Sequence, residues 1–257
     1  MVNMDLKELA IMLVDAEEAA KPISEKYKQD FTEKEAYDVQ ILVRDEKLRR
    51  GQRVIGKKIG FTSQAMRKQF NYHSCDYGNI FDKQIFEQGS AIKLDNFLTP
   101  RVEGEIAFIL KEDLSGPGVT VSDVVRATDG VMACLEFVDT RWDFGIQVLD
   151  SIADNAACGG FVLGSKFVRL DNLDLRYIAM FVQKNGVLLS SGAGVEVMGD
   201  PLNAVAWLAN KLHEHGAKLK AGDIILSGAI TGAVEVNKGD VLDVSFSTLG
   251  NIQIRFE

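Results

Sequence analysis

The sequence predicts an α+β fold, with a smaller helical N-terminal lobe over residues 1–80 and a larger, mainly β domain over residues 81–257. Apolar residues at helical spacing, bounded by capping signals, fill residues 5–51. From about residue 86 the pattern changes to short apolar runs separated by turn signals, two of which are Gly-Asp pairs. A single strong helical pattern, at residues 201–215, interrupts these runs.

Two helices are predicted in the N-terminal lobe. Asp5 is a suitable N-cap for a helix that runs to about Ala20. The second helix is bounded more sharply, because Thr32 and Glu35 have the spacing of a capping box and Gly51 follows the last turn. A short strand is predicted in "RVIGKKIGF" (53–61), then a helix or turn at 64–70 and a loop in "NYHSCDYGN" (71–79).

The C-terminal part predicts a series of strands and one helix. Asp200 can cap that helix, Pro201 suits its first turn, and Gly216 ends it. The predicted strands cover residues 101–110, 132–138, 160–164, 177–183, 223–227, 240–246 and 250–256.

Composition narrows the classes of function. The 257 residues are 46% hydrophobic and 26% charged, which is enough to bury a sizeable core. A net charge of −8 argues against a nucleic-acid partner, which usually requires a basic surface. No apolar run reaches the roughly 18–20 residues of a membrane span, so no membrane partner is expected. The three cysteines are too few and too scattered for a disulfide framework, which favours the cytoplasm.

Acidic residues in the β-rich part indicate a metal site. In "TPRVEGEIAFIL" (99–110), strand side chains alternate, so Glu103 and Glu105 face the same way with α-carbons roughly 6.6–6.8 Å apart. In "GVMACLEFVDTR", Glu136 lies within an apolar segment, where an unpaired carboxylate is costly or takes up a proton. Three carboxylates, with no imidazole nearby in the sequence, suit a hard divalent cation such as Mg²⁺ or Mn²⁺.

A second interpretation of these acids stays open at this point. In it, Glu103 and Glu105 face solvent on an edge strand, while Glu136 pairs with an arginine such as Arg141. The spacing alone does not distinguish the two interpretations.

A pair of lysines lies in the predicted strand at 53–61. Lys57 and Lys58 face opposite sides of that strand, so one of them is expected to point inward. An inward Lys58 near bound anions would hold a carboxylate substrate or polarise its oxygen. The alternative is a surface lysine that extends its ammonium group into water.

Several motifs, taken together, resemble one known family. The stretches "GKKIGFTS", "DYGNIF", "PRVEGEIAFIL", "CLEFVDTR", "ADNAACGGFVLG" and "GDIILSGAITGAVEVNKGD" occur in the order found in the 2-keto-4-pentenoate hydratase and 4-oxalocrotonate decarboxylase family, within the fumarylacetoacetase-like superfamily. The resemblance covers nearly the whole chain from about residue 35 onward. It implies a mixed β-roll in the C-terminal domain, a smaller N-terminal lobe and a homo-oligomer. Association with a paralogous hydratase or decarboxylase is a further expectation.

The resemblance also implies site residues. The metal-binding E-x-E pair of the family matches Glu103 and Glu105, its third acid matches Glu136, and its lysine matches Lys58. Mg²⁺ or Mn²⁺ is therefore the expected cofactor, and a small 2-oxo or 2-hydroxy acid is the expected substrate. The family's acid in "P-D-[FY]-G" matches Asp76, which would move protons in a hydratase. The alternative is that Asp76 is an ordinary loop aspartate in an Asx-turn.

Two lyase reactions share this scaffold. A hydratase adds water to a 2-hydroxy-2,4-dienoate from the meta-cleavage catabolism of aromatic compounds, and a decarboxylase removes CO₂ from 4-oxalocrotonate. Asp76 favours the hydratase, since decarboxylases tend to be apolar at that position. Cys75 before the aspartate and Ala157 in place of a serine depart from the hydratase pattern. The stretches "GAIT" at 228–231 and "GPG" at 116–118 look more like the decarboxylase branch. A non-catalytic subunit and a plain domain with solvated acids are the alternatives from other classes.

Overall fold

The chain folds into two β-sheets and a set of helices. The computed structural model describes residues 4–143 and 145–257. Its α-helices are α1 (Leu6–Ala19), α2 (Glu33–Arg49), α3 (Gln64–Gln69), α4 (Val121–Ala127), α5 (Val148–Ala153) and α6 (Pro201–Glu214). Its strands are β1 (Val54–Gly60), β2 (Asp76–Phe81), β3 (Ile85–Phe86), β4 (Ala91–Ile92), β5 (Arg101–Leu110), β6 (Thr128–Val138), β7 (Cys158–Leu163), β8 (Ala179–Lys184), β9 (Val187–Ala193), β10 (Ile224–Leu226), β11 (Val234–Glu235), β12 (Val241–Phe246) and β13 (Gly250–Phe256).

Both sheets mix parallel and antiparallel pairs. The larger sheet has the order β2-β1-β10-β5-β6-β7-β3, with β11 paired to β5. Its β1–β10 pair is parallel, whereas β5 runs antiparallel to both β10 and β6. The smaller sheet has the order β4-β13-β12-β8-β9. This arrangement of mixed sheets and separate helices confirms the predicted α+β class.

The predicted helix boundaries are confirmed at the three long helices. Asp5 Oδ1 accepts a hydrogen bond from the Lys7 amide at 2.7 Å and begins α1. Thr32 and Glu35 form the predicted capping box of α2, with the Thr32 amide 2.8 Å from Glu35 Oε2. Asp200 caps α6 through the amide of Leu202 at 2.9 Å. Each side chain satisfies an amide that the first helical turn leaves unpaired.

The predicted loop at 71–79 is wrong from residue 76 onward, where β2 begins. Its Asn, Asp and Gly residues favour turns, but contacts from distant parts of the chain override that preference. The backbone of Asn79 pairs with the side chain of Asn155, 76 residues away. The short helices α4 and α5 and the strand β9 were also not predicted.

The predicted division between residues 80 and 81 stays a prediction. β1 lies before that point and β2 crosses it, yet both strands belong to the larger sheet with β5, β6 and β7. The larger sheet is therefore built from both predicted parts of the chain.

The larger sheet separates two apolar clusters. One face contributes to the main core, with Ile59, Tyr77, Ile106 and Phe137 among its buried residues. Side chains that point the other way form a smaller cluster of Ile80, Ala107, Cys134, Cys158, Phe161 and Leu226. The predicted site residues lie on the face of this smaller cluster. Among the described residues, no helix is long and apolar enough to cross a membrane.

Candidate metal centre

The structure brings the three predicted carboxylates together. Glu103 lies directly opposite Glu136 in the β5–β6 pair, and Glu105 follows two residues later on the same face. One carboxylate oxygen from each residue lies within 4.8 Å of the other two. Glu105 and Glu136 are fully buried, and Glu103 is partly exposed. Solvated acids on an edge strand are therefore excluded, because β5 lies inside the sheet.

Several oxygens of this cluster lack hydrogen-bond partners among the described residues. Glu105 Oε2 accepts from the Gly228 amide at 2.8 Å, but Glu105 Oε1 and both carboxylate oxygens of Glu136 accept no hydrogen bond. Buried acceptors without partners are costly, and buried anions more so. Converging hard oxygen ligands of this kind fit a divalent cation, which would satisfy the free oxygens and offset their charge.

Lys58 is the inward-pointing member of the lysine pair, as the strand alternation predicted. The residue is 4% exposed, and its Nζ lies 3.3 Å from Glu136 Oε1. Nζ also donates a hydrogen bond to the carbonyl oxygen of Ala156 at 3.0 Å. Lys57 points the other way and donates to Asn79 Oδ1 at 2.7 Å. One ammonium group thus faces three carboxylates, so the cluster retains an excess of acidic groups.

Arg141 does not pair with Glu136, so that alternative is wrong. Its guanidinium binds Asp154 and donates to the carbonyl oxygens of Asp139 at 2.9 Å and Cys158 at 3.0 Å. Glu136 is left with Lys58 as its cationic neighbour.

Asp76 lies in strand β2, so the interpretation as a loop aspartate in an Asx-turn is wrong. It pairs in register with Gly60, while Lys58 pairs with Gly78, so both side chains lie on one face of the sheet. Asp76 is 1% exposed, and its Oδ1 has no hydrogen-bond partner among the described residues. A Cβ atom at Gly60 would lie 2.1 Å from that oxygen, so only glycine leaves room for the carboxylate.

Burial and like charges shift the protonation of these groups. Removal from water, together with the charge of Glu136, raises the pKa of Glu103 to about 7. Burial also raises the pKa of Asp76 and of Glu136, although the charge of Lys58 opposes both shifts. Burial disfavours the charged form of Lys58, but Glu136 and Asp76 outweigh it and raise the lysine pKa. Opposed shifts of this kind are typical of functional sites.

A turn between α5 and β7 completes the site, and sequence reasoning missed its role. Asn155, Ala156 and Ala157 adopt left-handed backbone angles with φ of 53°, 51° and 52°. This conformation costs a residue other than glycine about 1–2 kcal/mol, and asparagine tolerates it better than alanine. The available signal was the Asp-Asn pair followed by small residues between two apolar stretches.

Comparison with known proteins places the chain in a family. The family model described as fumarylacetoacetate (FAA) hydrolase C-terminal matches residues 81–257. The chain belongs to the fumarylacetoacetate hydrolase family. This match confirms the superfamily that the sequence motifs predicted.

Two relatives from this family also match residues before position 81. A 2-hydroxyhexa-2,4-dienoate hydratase from Comamonas testosteroni is 43% identical over 230 residues, 88% of this chain and 87% of the relative. A 2-hydroxypent-2,4-dienoate hydratase from Pseudomonas putida is 47% identical over 189 residues, 73% of this chain and 85% of the relative.

A solved structure of the same family matches the whole fold. It is a 4-oxalocrotonate decarboxylase from Pseudomonas putida G7, complexed with magnesium and adipate. It superposes with a TM-score of 0.95 at 34% identity and covers 100% of this chain and 99% of its own. Hydratases and decarboxylases are both lyases, so the predicted enzyme class is confirmed.

Proposed function

We propose that the chain is a divalent-metal-dependent hydratase that adds water to a small 2-hydroxy-2,4-dienoate from the meta-cleavage catabolism of aromatic compounds. One observation carries the proposal: three carboxylates converge beside buried Lys58 and Asp76, and the two that are fully buried have unpartnered oxygens among the described residues. The two hydratases at 43% and 47% identity support this choice of reaction.

The carboxylates of Glu103, Glu105 and Glu136 would hold the cation. Mg²⁺ is the favoured ion and Mn²⁺ the second choice. Both ions take oxygen ligands and keep coordination positions that a substrate can occupy. When bound, the cation would supply Lewis-acid polarisation of the 2-oxygen of the substrate.

Lys58 orients the substrate. Its Nζ is fixed between Ala156 O and Glu136 Oε1, with its ammonium group directed into the acidic cluster. The raised pKa keeps the group charged at neutral pH. It can therefore bind the substrate carboxylate or 2-oxygen as an ion pair or charge-assisted hydrogen bond.

Asp76 moves protons. Burial raises its pKa, which favours the protonated carboxyl as the donor of a proton to the terminal carbon of the diene as the 2-hydroxyl loses its own. The ionised carboxylate then accepts a proton from the water that adds to the remaining double bond. The carbon beside the keto group gains the proton lost from the 2-hydroxyl, so the net change is the addition of one water molecule.

Decarboxylation of 4-oxalocrotonate is the second candidate. The decarboxylase superposes over the whole chain, and Ala157 offers no hydroxyl group at the buried turn beside Lys58. Loss of CO₂ also requires fewer proton transfers than hydration.

The substrate is a small 2-oxo or 2-hydroxy acid, and the enzyme works in the cytoplasm as a homo-oligomer. We propose in addition that it forms a complex with a paralogous decarboxylase or hydratase, which the family resemblance supports.

Two substrates, offered separately to the purified chain with Mg²⁺, test the reaction. We expect 2-hydroxypenta-2,4-dienoate to be consumed with formation of its water adduct, and consumption to stop when a chelator removes the metal. Release of CO₂ from 4-oxalocrotonate, without hydration of the dienoate, would reverse the order of the two candidates. The absence of metal-dependent change with either substrate would indicate a non-catalytic subunit.

A further inference from the structure

The left-handed turn at 155–157 lies against strand β2 and contacts Lys58 on the neighbouring strand β1. Ala156 O accepts the hydrogen bond from Lys58 Nζ at 3.0 Å. Lys58 pairs in register with Gly78, and a Cβ atom at Gly78 would lie 2.4 Å from Asn155 O. The turn therefore packs directly on the backbone of β2, next to the lysine.

Nothing in the backbone of the two alanines favours this conformation. Three successive left-handed residues without a glycine persist only when the surroundings hold them in place. The contacts that hold the turn must therefore come from its side chains and its two ends.

The buried side chain of Asn155 makes the main contact on the β2 side. Its Nδ2 donates to Asn79 O at 2.8 Å, and its Oδ1 accepts from the Asn79 amide at 2.8 Å. The amide side chain thus pairs with the backbone of β2 as a neighbouring strand would. At the other end, Arg141 binds both the side chain and the carbonyl oxygen of Asp154.

We infer that Asn155 is a positioning residue, which acts through Lys58 by holding the carbonyl oxygen of Ala156 against the lysine ammonium group. The inference rests on the proposed function, since Lys58 is there the group that binds substrate. Without the Asn155 amide, the turn can leave the left-handed region and the Ala156 carbonyl can move away. Lys58 would then keep Glu136 as its neighbour but lose its fixed direction.

The variant Asn155→Gly tests this inference. Glycine adopts positive φ without strain, so the fold is retained while the amide is removed. Asn172→Gly is the matched control, because Asn172 also has positive φ (61°) but is exposed and far along the chain in the loop before β8.

The first measurement is independent of turnover. In protein labelled with ¹³C at the lysine ε-carbon, the Lys58 signal is assigned by its loss in Lys58→Met. We expect the two ε-protons of Lys58 to have separate shifts in the wild type and in Asn172→Gly, and to average in Asn155→Gly. Separate, unchanged shifts in Asn155→Gly would overturn the inference, whatever the activity.

The second measurement is a double-mutant cycle on kcat. We expect Asn155→Gly to lower kcat between about tenfold and hundredfold, since small misplacements of a catalytic group have effects of that order. In the Lys58→Met background, the same change should alter kcat less than about twofold. If the two substitutions lower kcat by independent factors that multiply in the double variant, Asn155 does not act through Lys58. If the wild type turns over neither substrate, the proposed function fails and the lysine signals alone decide the inference.

Discussion

Two buried charged clusters lie close together in this molecule, and they differ in how their groups are satisfied. In the first, Arg141 donates to Asp154 and to two carbonyl oxygens, and Asp154 also accepts from the Arg141 amide at 2.7 Å. In the second, the metal centre, one lysine faces three carboxylates, and the oxygens of Glu136 accept no hydrogen bond among the described residues.

The difference separates a structural cluster from a functional one. Burial disfavours charge in both, but the first is complete with the residues of the chain itself. The second is incomplete, and one carboxylate oxygen from each of its three glutamates lies within 4.8 Å of the other two. Burial of charged groups alone therefore does not identify a functional site, whereas several unpartnered oxygens on neighbouring carboxylates do.

The largest effect on stability is expected in the complete cluster. Asp154→Asn removes the carboxylate and leaves the guanidinium of Arg141 buried without its counterion, which should lower the free energy of unfolding by about 3–5 kcal/mol. Denaturant unfolding measures this change. Asp38→Asn breaks the exposed pair with Lys34 and should leave stability nearly unchanged. Equal losses in the two variants would show that the first cluster adds nothing beyond a surface pair.

A substitution in the metal centre is expected to have a smaller effect on stability, and to stabilise the protein where Asp154→Asn destabilises it. Burial and like charges raise the pKa of Glu103 to about 7 and that of Glu105 above the usual glutamate value of 4.5. Between the usual and the raised pKa values, the folded protein binds more protons than the unfolded chain. Its free energy of unfolding therefore falls as pH rises through that window. Glu105→Gln relieves part of this repulsion. It should stabilise the metal-free protein at pH 8 by about 1 kcal/mol, or roughly 2–4 °C in Tm, and change little at pH 5.

Differential scanning calorimetry in the presence of a chelator measures that shift. Glu112→Gln, at an exposed position, is the matched control and should leave Tm unchanged at both pH values. A loss of stability in Glu105→Gln at pH 8 would show that the carboxylate is already satisfied without a cation.

Part of the site followed from local sequence. Alternation along a strand placed Glu103 and Glu105 on one face, and it required one lysine of the pair at 57–58 to point inward. The apolar neighbours of Glu136 indicated its burial. These properties depend on residues a few positions apart, so a single sequence contains them.

The rest depends on contacts between distant parts of the chain. The register that sets Glu103 opposite Glu136 is fixed by strand pairing, and β2 forms although its sequence favours a turn. The turn at 155–157 was missed because alanine rarely adopts positive φ, so Asp-Asn was the only local signal for it and the two alanines gave none. The tertiary contacts of Asn155 and Asp154 hold that conformation.

Binding of Mn²⁺ tests the central claim most directly, namely that the three carboxylates hold one divalent cation. The electron paramagnetic resonance signal of free Mn²⁺ is followed as the metal-free chain is titrated at pH 8, with circular dichroism as the check on folding. We predict one bound Mn²⁺ per wild-type chain, displaced by excess Mg²⁺, and loss of this site in folded Glu105→Gln. A wild type that binds no Mn²⁺, or a variant that binds it equally well, would contradict the account.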